Sequence, residues 1–257
     1  MPGWNSHVVN IKDALSAEEQ KRFVDFMLSD KKYARWVSVI TILLGTGMRI
    51  SELRGLQWDR HIDLENNDIY VEYQLQYRQW GDGRCYDKYT DLKTTSSERH
   101  IPMDEKVREA FLTERERQEK GIKKNIVIDG HTGWAFTNRY GNILSASSVN
   151  DAIQRIITDY NKMEQARVDE INKTISKKAD RVKPRFLPHV TNHLLRHSFC
   201  SRLMEECCKP DSKINIKVVQ VLMGHASSST TLDIYTTVSE EFKKRTMSNI
   251  EGANYLG

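Results

Sequence analysis

Arg49 lies in the run GTGMRISELRGL, Lys93 in LKTTSSERHIPM, and His193 and Arg196 in HLLRHSF, while His225 and Tyr235 stand ten residues apart in LMGHASSSTTLDIYTT. These residue types describe a site that attacks phosphorus. A phosphodiester repels an incoming nucleophile, and its transition state gathers negative charge on the non-bridging oxygens. The arginine fork fits those oxygens bidentately and stays charged at any working pH. Donors fixed in advance around such a charge supply much of the acceleration in phosphoryl transfer. A phenol with an unperturbed pKa near ~10 needs a neighbour to take its proton. His193 titrates close to neutrality and is a candidate base. Lys93 is a candidate acid for the departing alkoxide, and His225 could donate to a phosphate oxygen or align the Tyr235 phenol.

The elements that must hold these groups are legible in outline. Ser16 with Glu19 reads as a capping box that opens a helix carrying Phe23, Phe26 and Met27. Trp36, Val37, Ile40, Leu43 and Leu44 recur at helical spacing until Gly45 and Gly47, and a short helix restarts over 51–56. Arg49 falls at that junction. Strict alternation from Ile69 to Tyr77 predicts one strand, Gly81-Asp82-Gly83 turns it back, a second strand runs to about Leu92, and a third ends at Ile101-Pro102. Lys93 sits in the second turn. The hairpin aromatics Tyr77, Trp80, Tyr86 and Tyr89 could touch a partner, but packing is the ordinary reading.

Asp104 is expected to cap a helix through about Glu119, Ser147 a long helix that stops before Pro184, and Asn215 a helix over Val218, Val219, Leu222 and Met223. Leu194, Leu195, Phe199, Leu203 and Met204 stripe a helix that starts after Asn192, and Ser239 caps a last one. Gly224 would end its helix with positive φ and set His225 rigidly behind a sharp stop. The fold class is therefore mostly α, with a small three-stranded antiparallel sheet.

In chain order the residues read as an Arg in G-x-R-x-x-E, a β-turn Lys, an H-x-x-R pair, a Gly-His dipeptide and a Tyr. Over roughly residues 35–245 the chain resembles the catalytic domain of the tyrosine recombinases, in particular phage and conjugative-transposon integrases. Each motif alone is weak, and all five in order make coincidence improbable. The resemblance implies a helical recombinase catalytic domain in which Arg49, Lys93, His193, Arg196, His225 and Tyr235 are catalytic. It implies cleavage and rejoining of double-stranded DNA through a covalent 3′-phosphotyrosine, with no cofactor and no metal. It also implies a synaptic tetramer on attachment or crossover sites, with an excisionase or a host DNA-bending protein as further candidate partners. Glu52 and His197 are expected behind the arginines, paired with each other and bracing Arg49 and Arg196. The alternatives are a type IB topoisomerase-like strand transferase and a DNA-binding relative without chemistry. Integrases of this kind carry N-terminal DNA-binding domains, so residues 1–257 are read as a single catalytic domain whose arm- and core-binding domains lie outside this sequence. C-terminal segments exchange between protomers in the family, and Phe242, Met247, Ile250 and Leu256 suit such docking.

Composition is consistent with this. The 39 Lys+Arg against 35 Asp+Glu leave a formal charge of only +4, mild for a protein that meets nucleic acid. Residues 162–185 hold Lys162, Arg167, Lys173, Lys177, Lys178, Arg181, Lys183 and Arg185 against Glu164, Asp169, Glu170 and Asp180. That run is either a solvated face of paired charges or a surface for phosphates. Cys85, Cys200, Cys207 and Cys208 show no metal-ligand spacing and suggest a reduced, cytoplasmic protein without a signal segment. His189, His193 and His197 are spaced by four, yet Pro188 and Asn192 argue that the helix starts too late to align all three for a metal. Tyr160 and Tyr255 are rival phenols outside the motif order.

Overall fold

A computed structural model of the chain describes residues 14–92, 97–207, 209, 211–227, 229 and 231. Lys93, Tyr235, Tyr255, Cys208 and the last helix expected after Ser239 lie outside the described residues.

Helix α1 (Ala17–Ser29) opens with the expected capping box. Ser16 Oγ accepts from the Glu19 amide at 3.2 Å, and the Ser16 amide donates to Glu19 Oε2 at 2.9 Å. Helix α2 (Ala34–Thr46) is the apolar axis of the molecule, burying Val39, Ile40, Ile42 and Leu43, and it packs against both α5 (Glu105–Lys120) and α7 (Asn192–Cys207). It stops at Gly47, which adopts φ 61°. A Cβ at Gly47 would lie 2.4 Å from Phe199 Cδ1, so α7 packs directly against that turn and only glycine fits. Short helices α3 (Ile50–Gly55) and α4 (Trp58–His61) follow. The core joins Phe23, Ile40, Leu43, Phe111, Phe136, Ile153 and Leu195 in one cluster. Each such side chain contributes roughly 1.5–3 kcal/mol of burial.

The strand expected over residues 69–77 is split. β2 (Asp68–Val71) belongs to a three-stranded antiparallel sheet in the order β1-β2-β5, with β1 (Ile62–Asp63) and β5 (Arg99–Pro102). β3 (Tyr73–Gln79) pairs only with β4 (Cys85–Asp91) in a separate hairpin. Alternation along a sequence reports which face a side chain takes and not which strand lies beside it, so a change of partner at Glu72 leaves no trace. The three-strand count therefore stands while its membership differs, because the two-residue β1 replaces β4. Register sets Arg99 opposite Val71 and Asp91 opposite Tyr73. Both ends of the stretch that contains Lys93 are thus anchored about Glu72.

The hairpin aromatics divide. Tyr89 is buried against Trp134 and Tyr73, as packing demands, whereas Tyr77 and Tyr86 are exposed. Trp80 is covered by Arg78, whose guanidinium carbon lies 4.0 Å from the ring centre.

Helix α6 (Ala146–Lys173) begins earlier than expected. Of three nearby serines, Ser145 takes the extended cap conformation and its Oγ accepts from the Ser148 amide at 3.1 Å. Helix α8 (Ile216–Met223) is capped by Asn215 and ends at Gly224 with φ 60°.

Candidate active site

The site grows from two chain reversals and the start of one strand, which meet beside α7. The first follows Gly47. Arg49 is the last extended residue before α3, and its amide donates to Glu52 Oε2 at 2.8 Å while its Nη1 donates to Glu52 Oε1 at 2.6 Å. The Arg49 side chain is one-third exposed and the Glu52 side chain fully buried. Glu52 thus grips both the backbone and the guanidinium of an arginine that still reaches solvent.

The second group comes from the sheet. Arg99, at the start of β5, donates Nη2 to Glu52 Oε2 at 2.9 Å and Nη1 to Glu52 Oε1 at 3.3 Å. Its remaining bonds run from Nη1 to the Ser97 carbonyl at 2.9 Å and from Nε to the Leu222 carbonyl at 2.8 Å. Sequence reasoning passed over Arg99 and looked to His197 for the brace on Glu52. The signal was present, because Arg99, Ile101 and Met103 alternate inward with His100 and Pro102 outward.

Arg196 is the third guanidinium, almost wholly buried in α7. Its Nη1 donates to the Gly47 carbonyl at 2.6 Å and its Nη2 to the Met223 carbonyl. The α7 side chain therefore holds together the turn before Arg49 and the turn before His225. His193, one helical turn earlier, stands at the solvent edge with its ring 4.3 Å from that of His197. His189 precedes the helix.

The second reversal is Gly224, followed by the buried His225. The His225 carbonyl accepts from Gln220 Nε2 at 3.0 Å, and His225 Nδ1 lies 2.9 Å from Thr231 Oγ1. Thr231, the second threonine of the pair that precedes Tyr235, lies four positions before it. Of the six expected catalytic residues, Arg49, His193, Arg196 and His225 are brought together, and Lys93 and Tyr235 are not described. Tyr160 lies elsewhere, on α6, with its hydroxyl on the Arg185 carbonyl.

The charges in this cluster do not balance. Burial alone would raise Glu52, but the guanidiniums of Arg99, Arg49 and Arg196 outweigh it and hold the carboxyl at about 2. Burial and the nearby Arg49 charge bring Arg196 down to about 9. Burial, then Arg196, Arg49 and Arg99, bring His225 down to about 4, and the same kinds of cause lower His193. Both imidazoles are neutral at pH 7. Among the described residues three guanidiniums face one carboxylate, leaving an excess of positive charge that an anion would complete.

The Phage integrase family profile matches residues 13–241, nearly the whole chain. The chain belongs to the phage integrase family. It is 32% identical over 224 residues to the transposase from transposon Tn916 of Enterococcus faecalis, covering 87% of this chain and 47% of the relative. It is 26% identical over 233 residues to a XerC-like tyrosine recombinase of Caldanaerobacter subterraneus, covering 88% and 50%. The chain thus spans about half the length of the curated relatives it matches. Among solved structures it resembles the Tn1549 transposon integrase in complex with a circular intermediate DNA, with a TM-score of 0.63, 31% identity and coverage of 95% of this chain and 67% of that one. The expected fold, a helical integrase catalytic domain with a small antiparallel sheet, is the one observed.

Proposed function

We propose that this chain is the catalytic domain of a site-specific DNA recombinase that cleaves and rejoins strands through a 3′-phosphotyrosine, integrating or excising a mobile element. The observation that carries the reading is the convergence of Arg49, Arg99 and Arg196 on Glu52, beside a neutral His225. Arg49 and Arg196, 147 positions apart in sequence, sense each other's charge in the fold.

In this reading the scissile phosphate sits on the exposed head of Arg49 and beside Arg196, which neutralise its non-bridging oxygens. His193, neutral and solvent-facing, takes the proton of the Tyr235 hydroxyl as it attacks phosphorus. The P–O5′ bond breaks and Lys93 protonates the departing 5′-oxygen. His225 orients the reacting groups through its Thr231 contact, and Glu52 and His197 act behind them. Religation is the same path reversed, with a 5′-hydroxyl displacing the phenol. No metal or nucleotide enters. The working form is a tetramer on two duplexes, which brings two crossover sites together for exchange.

The test is a covalent-adduct assay. Selection from random-sequence nicked duplexes for adducts resistant to denaturant identifies the crossover sequence. Tyr235→Phe is expected to abolish the adduct while noncovalent DNA binding persists; an adduct that survives this change would remove Tyr235 from its role.

A further inference from the structure

We propose that Arg99 is a positioning residue for strand cleavage, setting Arg49 and the Gly224-His225 turn in one fixed relation without touching the phosphate itself. The inference rests on the functional reading above.

The Arg99 side chain is 1% exposed, and each of its three nitrogens already donates to a protein group. Its bonds reach three places in the chain: Glu52, which grips Arg49; Ser97, two residues before the strand; and Leu222, two residues before Gly224. Fork geometry makes this possible, since Nε and the two terminal nitrogens point in fixed, divergent directions. A lysine in the same place keeps the charge opposite Glu52 but cannot bond both its oxygens and the Leu222 carbonyl together.

The fit against the second turn is close. A Cβ on Gly224 would stand 3.0 Å from Arg99 Nη1 and 3.2 Å from its Cδ, so that turn is laid directly on the guanidinium. Ser97 Oγ also donates to the Gly224 carbonyl, at 3.4 Å. Arg196 ties the same two turns from α7 through the Gly47 and Met223 carbonyls. Arg196 belongs to the reacting set, and Arg99 is the tie that does no other work there.

Stability alone is a poor account of this residue. A buried ion pair contributes little net stabilisation compared with well-packed apolar side chains of similar volume. What such a pair supplies here is a defined geometry between groups that must meet one phosphate to within a fraction of an ångström.

The test uses the full chain and the crossover duplex selected as above, in two forms: an ordinary phosphodiester and a methylphosphonate at the scissile position. The methylphosphonate lacks the non-bridging charge that Arg49 neutralises, so misplacing Arg49 costs less on it. Arg99→Lys is expected to slow single-turnover cleavage of the phosphodiester about 100-fold and of the methylphosphonate less than about 10-fold. DNA affinity stays near wild type while the melting temperature falls, as the lost buried bonds require, and adding Arg99→Lys to Arg49→Ala slows cleavage by less than Arg99→Lys slows the wild type. Equal losses on both substrates, or wild-type rates for Arg99→Lys, would overturn the inference. If Arg99→Lys fails to fold, Arg99→Gln, which leaves Glu52 paired with Arg49, carries the same comparison. A wild-type chain that forms no adduct on any duplex would overturn the functional reading and this inference together; a wild-type adduct with equal losses overturns this inference alone.

Discussion

Glu52 is the residue on which the arginines depend, accepting four hydrogen bonds with no solvent around it. Its folded pKa of about 2 lies below that of a free glutamate, so its contribution to stability is complete above about pH 4.5 and is lost as pH falls through 2. Glu52→Gln leaves the Arg99 charge buried and is expected to cost on the order of 3 kcal/mol at pH 7. Urea denaturation of both proteins across pH checks this: the gap should narrow as pH falls below about 4, and a gap that persists at pH 2 contradicts it. The carboxylate was legible from G-x-R-x-x-E, but its main partner was not. Pairing between Glu52 and Arg99 is set by a sheet edge meeting a helix, and no local spacing encodes that meeting.

At the scale of elements, what makes the site is the set of reversals between helices. Helix ends were readable because capping is local: Ser16, Asp104 and Asn215 each accept the amide three residues on. Gly47 and Gly224 were readable as stops for the same reason. What they stop against was not, because Phe199 and Arg99 arrive from distant parts of the chain. Gly47→Ala forces both a left-handed alanine and a Cβ 2.4 Å from the Phe199 ring. We expect it to destabilise the protein by about 2 kcal/mol or more, read as a lowered melting temperature. An unchanged melting temperature would show that α7 yields at Phe199. The sheet was the least legible element, since strand partners depend on contacts as distant as Val71 with Arg99.

For the whole molecule, charge distribution matters more than the net of +4. In the basic run, Arg167 pairs with Glu164, Lys173 with Glu170 and Arg185 with Glu18. Lys177, Lys178, Arg181 and Lys183 are exposed and have no acidic partner among the described residues. The run therefore divides into paired charges on α6 and, after it, four exposed charges with no acidic partner among the described residues. Replacing these four by alanine is expected to flatten the salt dependence of DNA binding, by roughly 0.9 in the log–log slope for each phosphate no longer neutralised. An unchanged slope in filter binding means that they are merely solvated. The two nearly inaccessible guanidiniums, Arg99 and Arg196, leave a different mark on the molecule. Loosening either turn strips buried guanidinium donors of their partners, so neither opens cheaply alone. Amide protons near residues 47, 52, 99 and 223 should then exchange with deuterium at one common rate, as a single cooperative block rather than as separately fraying loops.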